Sequence, residues 1–563
     1  MSDRRHRLRY TRRELLSSVL GWGAIGAASI QSGGCGILNT HWSGNLPFDG
    51  ERIRPNHDAG HRLRLPIDQR FSGTSSEDTS QPPTEVECVI VGGGVAGLSA
   101  AYHLQKNGLD DFVVLELEDE LGGTSRSTHY QSESFGSMEA PWGAHYLPMP
   151  GPNNQRLRDF LRECDALDEN FEPHEQVLCR DPEERVWDSG TWQYGLLPMQ
   201  DANDIDREQL HRFQTQMQSF AARRDSDGPP WFTLPTSMAS MNAESMLLDQ
   251  QSMAEWMQAN DFTSPRLLWL VDHSCRDDYG LRSDQTSAWA GIFYFASRMV
   301  DPAHSDESAP LLTWPSGNGH LVQQLAKTIG DRRRTGQAIL SMKGDPDGPL
   351  DLAGIDTATG QGNHWRANSV ILAVPQFIAC RLLPSEWSQT RSRMEAAKSF
   401  QYGSWLVANI VLKDRPPEPA RTSMAWDNVR YQSESLGYVH AGHQTGRDHG
   451  GTVLTWYQAL TTDDAALTRN ELMRLTWAEI AEVVCSDLEV SHPGIRSLIE
   501  RLDAMVWGHA MIQPIVGSIA SPHRRQASQS IGNVHFASTD LSAMALFEEA
   551  FDHGHRAAQA VMK

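Results

Sequence analysis

No two of the seven cysteines, Cys35, Cys88, Cys164, Cys179, Cys275, Cys380 and Cys485, stand in a CxxC pair, and no histidine cluster lies near them at zinc-like spacing. That pattern excludes a zinc or iron–sulfur centre, so no metal is expected. Cysteines scattered through a chain of this length do not make a disulfide scaffold either. Cationic side chains are scarce: 49 Lys and Arg against 71 Asp and Glu leave a formal net charge of −22. Such a chain repels a phosphate backbone and carries no basic aromatic patch, so no nucleic-acid partner is expected. The acid excess serves solubility or the attraction of a cationic substrate. A bilayer-length hydrophobic run is missing. The mildly apolar stretch at 15–30 is too short and is broken by Gly21, Gly23 and Gly26.

What is present is a strand, Glu87-Cys88-Val89-Ile90-Val91, running into Gly92-Gly93-Gly94-Val95-Ala96-Gly97 and a helix. Gly92 permits a tight turn, Gly94 lets the backbone approach a pyrophosphate, and Gly97 lets the helix pack on the strand. Phe112-Val113-Val114-Leu115-Glu116 reads as the next parallel strand, ending in the acid that accepts a ribose hydroxyl. This order predicts a dinucleotide site built from Gly92, Gly93, Gly94, Ala96, Gly97 and Glu116.

At 563 residues the chain is too long for one core, and two domains are expected. Residues 1–35 read as an export signal: an arginine-dense start, the pair Arg12-Arg13, an apolar block, then small residues. The paired arginines resemble a twin-arginine signal, a receptor-read address that implies a periplasmic or otherwise exported protein. Ser32-Gly33-Gly34-Cys35 leaves open a lipid anchor at Cys35, against an ordinary cysteine of the signal region. Residues 36–84, rich in Pro, Ser, Asp, Arg and His, read as a disordered linker that either tethers the body or drapes over it.

Beyond Glu116, Leu121-Gly122-Gly123-Thr124 resembles the second glycine signature of the flavin-containing amine oxidase superfamily, which includes monoamine and polyamine oxidases, phytoene desaturases and protoporphyrinogen oxidases. The arginines that usually flank this pair are replaced by Glu120 and Thr124, with Arg126 nearby. Pro141-Trp142-Gly143-Ala144-His145-Tyr146 is similar to the family segment beside the isoalloxazine ring. Trp314-Pro315-Ser316-Gly317-Asn318-Gly319 and Val370-Ile371-Leu372-Ala373-Val374-Pro375 look like two further family segments. Phe536-Ala537-Ser538-Thr539-Asp540 and the run 548–558 resemble its closing motif. The resemblance implies FAD and an α/β fold, a glutathione-reductase-like FAD-binding Rossmann domain interleaved with an α+β substrate domain. The FAD-binding pieces are expected at 85–153, 310–380 and 500–563, and the substrate-binding pieces at 154–309 and 381–499. It adds Gly122, Gly123, Thr124, Gly143, Ala144, Pro375, Asp540 and Glu549 to the expected cofactor contacts.

The chemistry so implied is hydride removal from a small substrate, at a carbon beside nitrogen or, in a desaturase, at a carbon–carbon pair. His145, Tyr146 and Trp507 are the candidate catalytic residues, with Trp142 close to the ring and His145 best suited to handling a proton. Family amine oxidases commonly carry a lysine on a substrate-domain strand. The matching strand has Val407 or Asn409 there, which favours a dehydrogenase with an electron acceptor still to be identified over a fast oxidase. With no cysteine near Asp540, a cysteinyl-flavin bond at that end is not expected. Asp277 and Asp278 are available to a cationic substrate or to a solvated salt-bridge cluster. Two other readings remain: a desaturase-like enzyme of apolar isoprenoid-type molecules, and a flavin-binding interaction protein whose catalysis has lapsed.

Overall fold

The computed structural model describes residues 46–72, 82–226, 228–299, 309–419 and 422–563. The basic leader and Cys35 lie outside them. The apolar run before Gly92 forms the strand Thr84–Val91, buried over its last four residues. Strands covered on both faces are apolar at every position, and Phe112–Leu115 is likewise wholly buried. Their side chains alternate between two cores. Cys88 and Ile90 pack with Leu98, Leu104 and Phe551 on one face. Val89 and Val91 pack with Leu340, Leu352 and Trp387 on the other.

The first sheet runs Arg333–Arg334, Phe112–Leu115, Thr84–Val91, Gly362–Leu372, Leu350–Asp356, Gln337–Gly344, with Val534–Phe536 paired to Gly362–Leu372. Four of these strands are parallel neighbours and end together: Val91 sits opposite Leu115 and Leu372, and Leu372 opposite Phe536. In open parallel sheets, ligands bind outside such carboxyl ends. Residues more than 400 apart in sequence thus reach one edge. The closing helix Phe547–Val561 lies against the first helix, Val95–Lys106. A Cβ on Gly554 would come 2.3 Å from the Ala96 carbonyl oxygen. The Ser99 hydroxyl donates to the Phe551 carbonyl at 2.7 Å.

The second sheet is mostly antiparallel and includes Ile499–Ile512, Tyr402–Leu412 and Thr452–Leu460 as neighbours. Leu406, Ala408 and Ile410 face the helix Trp477–Ser491 through Ile480, Val484 and Leu488. Trp405 and Val407 face the opposite way, toward Trp142, Tyr457 and Trp507. A helical layer including Asp204–Ala222, Pro265–Tyr279 and Ala288–Ala296 packs around Phe213, Trp256 and Trp289. A capping box between Asn203 and Asp206 starts its longest helix.

Three expected boundaries move. Ile499–Ile512, expected with the nucleotide domain, pairs with Tyr402–Leu412 in the second sheet, where its apolar alternation is matched. Leu383 and Trp387, expected beyond that domain, lie in its core. Residues 46–72, expected within a disordered linker, drape over the body. Arg52 and Ile53 pair with Ala504 and Met505, and Leu63 is buried beside Val89. Backbone pairing and single apolar anchors order a segment too polar for a core of its own.

Candidate active site

Each glycine of the first turn has a separate steric reason. Gly92 has φ +108°, and a Cβ there would lie 2.3 Å from the Ala373 carbonyl oxygen. A Cβ on Gly97 would lie 1.9 Å from the Gly92 carbonyl oxygen. At Gly94, by contrast, a Cβ meets nothing within 4 Å. Gly94 is the N-cap of Val95–Lys106, with no side-chain cap on the helix N–H groups. Uncapped donors beside open space suit an anion at the positive end of a helix. The second glycine pair closes over this point. Gly122 N donates to the Gly93 carbonyl at 2.9 Å, and Gly122 and Gly94 form a β-bridge.

Glu116 ends the second strand, buried, accepting from Gly93 N at 2.5 Å and from Glu118 N at 2.9 Å. Burial raises its pKa, and those two N–H groups oppose the shift. They also leave lone pairs on a four-site carboxylate for a ribose hydroxyl. Thr124 contributes backbone: its carbonyl accepts from Ala144 N at 3.3 Å, and a Cβ on Gly143 would lie 2.1 Å from the Thr124 oxygen. Pro375 caps the helix Gln376–Leu382 at the same sheet edge.

Asp540 and Glu549, expected at the cofactor, both hold protein partners. Asp540 Oδ2 accepts from Gln376 N at 2.7 Å and from the Tyr402 hydroxyl at 2.5 Å. It ties the closing loop to Pro375, and burial pushes its pKa up to about 6. Glu549 accepts the Thr236 N–H at 2.5 Å and the Thr236 hydroxyl at 2.8 Å, one on each oxygen, so its carboxylate anchors a helical-layer loop instead of facing the glycine cradle. Sequence pattern located the closing helix, not the direction of its acids.

The segment Trp142 to Tyr146 passes between the cradle and the inner face of the second sheet. Trp507 Nε1 donates to the Trp142 carbonyl at 2.7 Å, and the Arg126 guanidinium lies over the Trp507 ring at 5.2 Å. The His145 ring is 4.8 Å from Tyr457, 5.6 Å from Trp426 and 5.2 Å from Tyr146, centroid to centroid. The Tyr457 hydroxyl donates to the Gly143 carbonyl at 3.1 Å. The structure thus brings His145, Tyr146 and Trp507 to one aromatic face. Tyr457 and Trp426 join them, and sequence reasoning missed both. Tyr457 stands opposite Val407 across the sheet, a register that no local motif signals.

A charged group adjoins this face. The Tyr146 hydroxyl donates to Asp278 Oδ1 at 3.3 Å, and Arg298 holds Asp278 Oδ2 at 2.7 Å, with both charged side chains buried. Burial works against the Arg298 charge, while Asp278 and the neighbouring tyrosines more than restore it. Glu548, sensing Arg298 and Asp278, is pushed by burial up to about 7.

A model of flavin-containing amine oxidoreductases matches residues 95–562. The chain belongs to that family. Among similar proteins, an L-amino acid dehydrogenase of Synechocystis is 23% identical over 54% of this chain and 58% of its own length. An L-amino-acid oxidase of Notechis scutatus scutatus is 32% identical over 24% of this chain and 26% of its own. The chain therefore spans less than two thirds of either relative. Among solved structures, a putrescine oxidase bound to putrescine aligns with a TM-score of 0.63 at 16% identity, over 85% of this chain and 100% of its own. Cyclohexylamine oxidase from Brevibacterium oxydans aligns at 0.58 and 16%, over 84% and 98%. These likenesses establish the shared Rossmann-type fold.

As a flavin-containing amine oxidoreductase, the protein uses FAD, and its residues fit one. The cradle at Gly94 is open, its helix is uncapped, and three buried polar atoms around the same edge lack any protein partner: Asn318 Oδ1, Gln376 Nε2 and Ser538 Oγ. Buried polar atoms without partners mark places where a ligand completes the hydrogen bonding. Among the described residues no group of three His, Cys, Asp or Glu is placed to hold a metal, and no helix is long and apolar enough to cross a membrane.

Proposed function

We propose that this flavoenzyme is an exported dehydrogenase of a small amine or amino acid, taking a hydride from the carbon beside nitrogen and passing electrons to an acceptor other than oxygen. The observation that carries the dehydrogenase assignment is the inner face of the second sheet. Its three central strands, Tyr402–Leu412, Thr452–Leu460 and Ile499–Ile512, carry no lysine, and Val407 and Asn409 occupy the candidate positions. Asn409 is fully buried and donates to the Pro141 carbonyl at 3.3 Å. The likeness to a protein described as an L-amino acid dehydrogenase supports the same choice. Bound FAD supplies the hydride acceptor.

The chain's own residues do the rest. Trp142, Trp507 and Tyr457 wall the reacting side and exclude water. His145 Nδ1 lies 3.3 Å from the Gly143 carbonyl, which favours the tautomer with Nδ1–H donating and Nε2 an acceptor. That tautomer suits removal of a proton from a substrate ammonium, leaving the lone pair that hydride loss requires. The buried Asp278–Arg298 pair beside Tyr146 favours a polar substrate over an apolar polyene. Export rests on the composition of residues 1–35.

Anaerobic mixing tests the proposal. An amine or amino acid is expected to bleach the flavin, and a dye acceptor to restore its colour much faster than air-saturated buffer. Reoxidation by oxygen as fast as by dye would remove the dehydrogenase assignment. Bleaching by polyenes alone would remove the substrate class. A fusion of residues 1–35 to a reporter is expected to appear outside the cytoplasm, and retention inside would remove export.

A further inference from the structure

Away from the cofactor edge, a cavity of about 270 Å³ opens beside the tip of the hairpin formed by Ser127–Ser132 and Gly136–Pro141. Its polar lining comes from Arg415, Arg447, His449, Ser134, Ser137 and Thr445, over an apolar floor of Phe135 and Met138. No carboxylate lines it. In a chain of net charge −22 acids are plentiful, and several arginines elsewhere hold one. Arg298, Arg496 and Arg430 each hold a carboxylate within 2.7 Å.

Among the described residues no carboxylate stands within ion-pair distance of the Arg415 or Arg447 guanidinium, and Asp448, Asp414 and Glu418 act on Arg415 only from further off. Arg415 is half-buried, and its Nε is wholly shielded without a partner. Asp448 holds the His449 ring at 3.0 Å, and Asp414 accepts Arg415's own backbone N–H at 2.8 Å. Behind Arg415 stands His440, fully buried, its Nε2 2.8 Å from the Thr452 hydroxyl. Burial, and then the Arg415 charge, hold His440 well below the usual imidazole range, so on that side Arg415 meets a neutral ring.

The walls are fixed in place. A Cβ on Gly451 would lie 2.0 Å from Ser134 Oγ, so loop and hairpin tip are pressed together. Gly446 and Gly450 take φ +67° and +78° to shape the loop. Two guanidiniums that hold no carboxylate, lining one cleft, supply the kind of N–H donors that the oxygens of a phosphate group accept.

We infer that this cleft is a second ligand site, separate from the flavin, that binds a phosphate ester through Arg415 and Arg447. The same chemistry is offered by a soluble phosphomonoester and by an anionic phospholipid headgroup.

The test uses the FAD-loaded full chain. Glycerol phosphate is titrated by calorimetry, and co-sedimentation is measured with phosphatidylglycerol vesicles against phosphatidylcholine vesicles. Arg447→Ala, at an exposed position, is expected to keep flavin content and melting temperature while weakening binding at least about tenfold; Arg447→Lys should recover part of it. Saturable binding of glycerol phosphate, lost in Arg447→Ala, supports the site with a soluble ester as its source. Binding only to phosphatidylglycerol vesicles, lost in the same variant, supports it with a headgroup as its source. No saturable binding in either arm, or binding that Arg447→Ala leaves unchanged, overturns it.

Discussion

The two sheets approach the cofactor edge by opposite means. The parallel sheet offers backbone at turns where side chains are sterically forbidden. The antiparallel sheet offers a face where side chains do the work and the backbone is spent on pairing. At Gly92 and Gly97 an added methyl group meets a carbonyl oxygen at 2.3 and 1.9 Å, while Val407 and Trp507 present side chains to a packed inner face that other side chains could line. One region is therefore recognisable in any sequence that binds a dinucleotide, and the other is where this protein can differ from its relatives.

The largest expected effect breaks the first sheet. Gly97→Ala should destabilise the protein by about 3 kcal/mol and empty it of flavin, read as melting temperature and absorbance per chain. Gly94→Ala sharpens the comparison, because its methyl group meets no protein atom. The fold should melt within a few degrees of the parent apoprotein while flavin content falls at least about tenfold. Equal stability losses in both variants would erase the distinction between packing glycine and approach glycine.

Next in size is a pH effect at the start of the closing helix. Glu548, held by burial at about 7 against an ordinary value near 4.5, keeps its proton in the folded state between those limits. Its contribution to stability is full below about 4.5 and is lost as pH rises through about 7, by roughly 3 kcal/mol at most. His103, lowered by burial to about 3, acts in the opposite sense: acid destabilises the fold as pH falls from about 6.5 toward 3. Glu548→Gln should steepen the rise of stability with pH over 4.5–7, and His103→Gln should flatten or invert it. Urea midpoints at four pH values read both.

Smaller effects belong to the second sheet. Trp507→Phe keeps an aromatic side chain but shrinks it and drops the 2.7 Å hydrogen bond to the Trp142 carbonyl, the lost bond alone costing about 1 kcal/mol. Flavin should remain bound, with the visible spectrum shifted. Smallest is Tyr146→Phe, which frees Asp278 of one donor; kcat/KM is expected to fall by about three- to tenfold with little change in melting temperature.

What was legible in the sequence follows the same division. The glycine turn, Glu116 and the closing helix were readable because steric prohibition leaves few residues a choice. The segment through Gly143 was expected from its resemblance to a family segment, and the steric reason, a Cβ that would lie 2.1 Å from the Thr124 oxygen, comes from the fold. The protein partners of Glu549 and Asp540 were not legible, since local pattern carries no information about which way a buried carboxylate turns, here to Thr236 and Tyr402. Tyr457 and Trp426 were invisible because they reach His145 only through the register of distant antiparallel strands. Residues 46–72 looked disordered by composition, yet Arg52 and Ile53 pair with the second sheet through their backbone and the Arg70 guanidinium donates to the Leu340 carbonyl of the first.

The central claim is that both ends of the chain converge on one FAD at the edge where Val91, Leu115, Leu372 and Phe536 end. A crystal structure of the FAD-loaded protein tests it directly. The pyrophosphate is expected within hydrogen-bond distance of the backbone N–H groups that follow Gly94, with the flavin ring against the segment from Trp142 to His145. Flavin density on any other surface, or a cradle closed by protein side chains in the loaded enzyme, would contradict it.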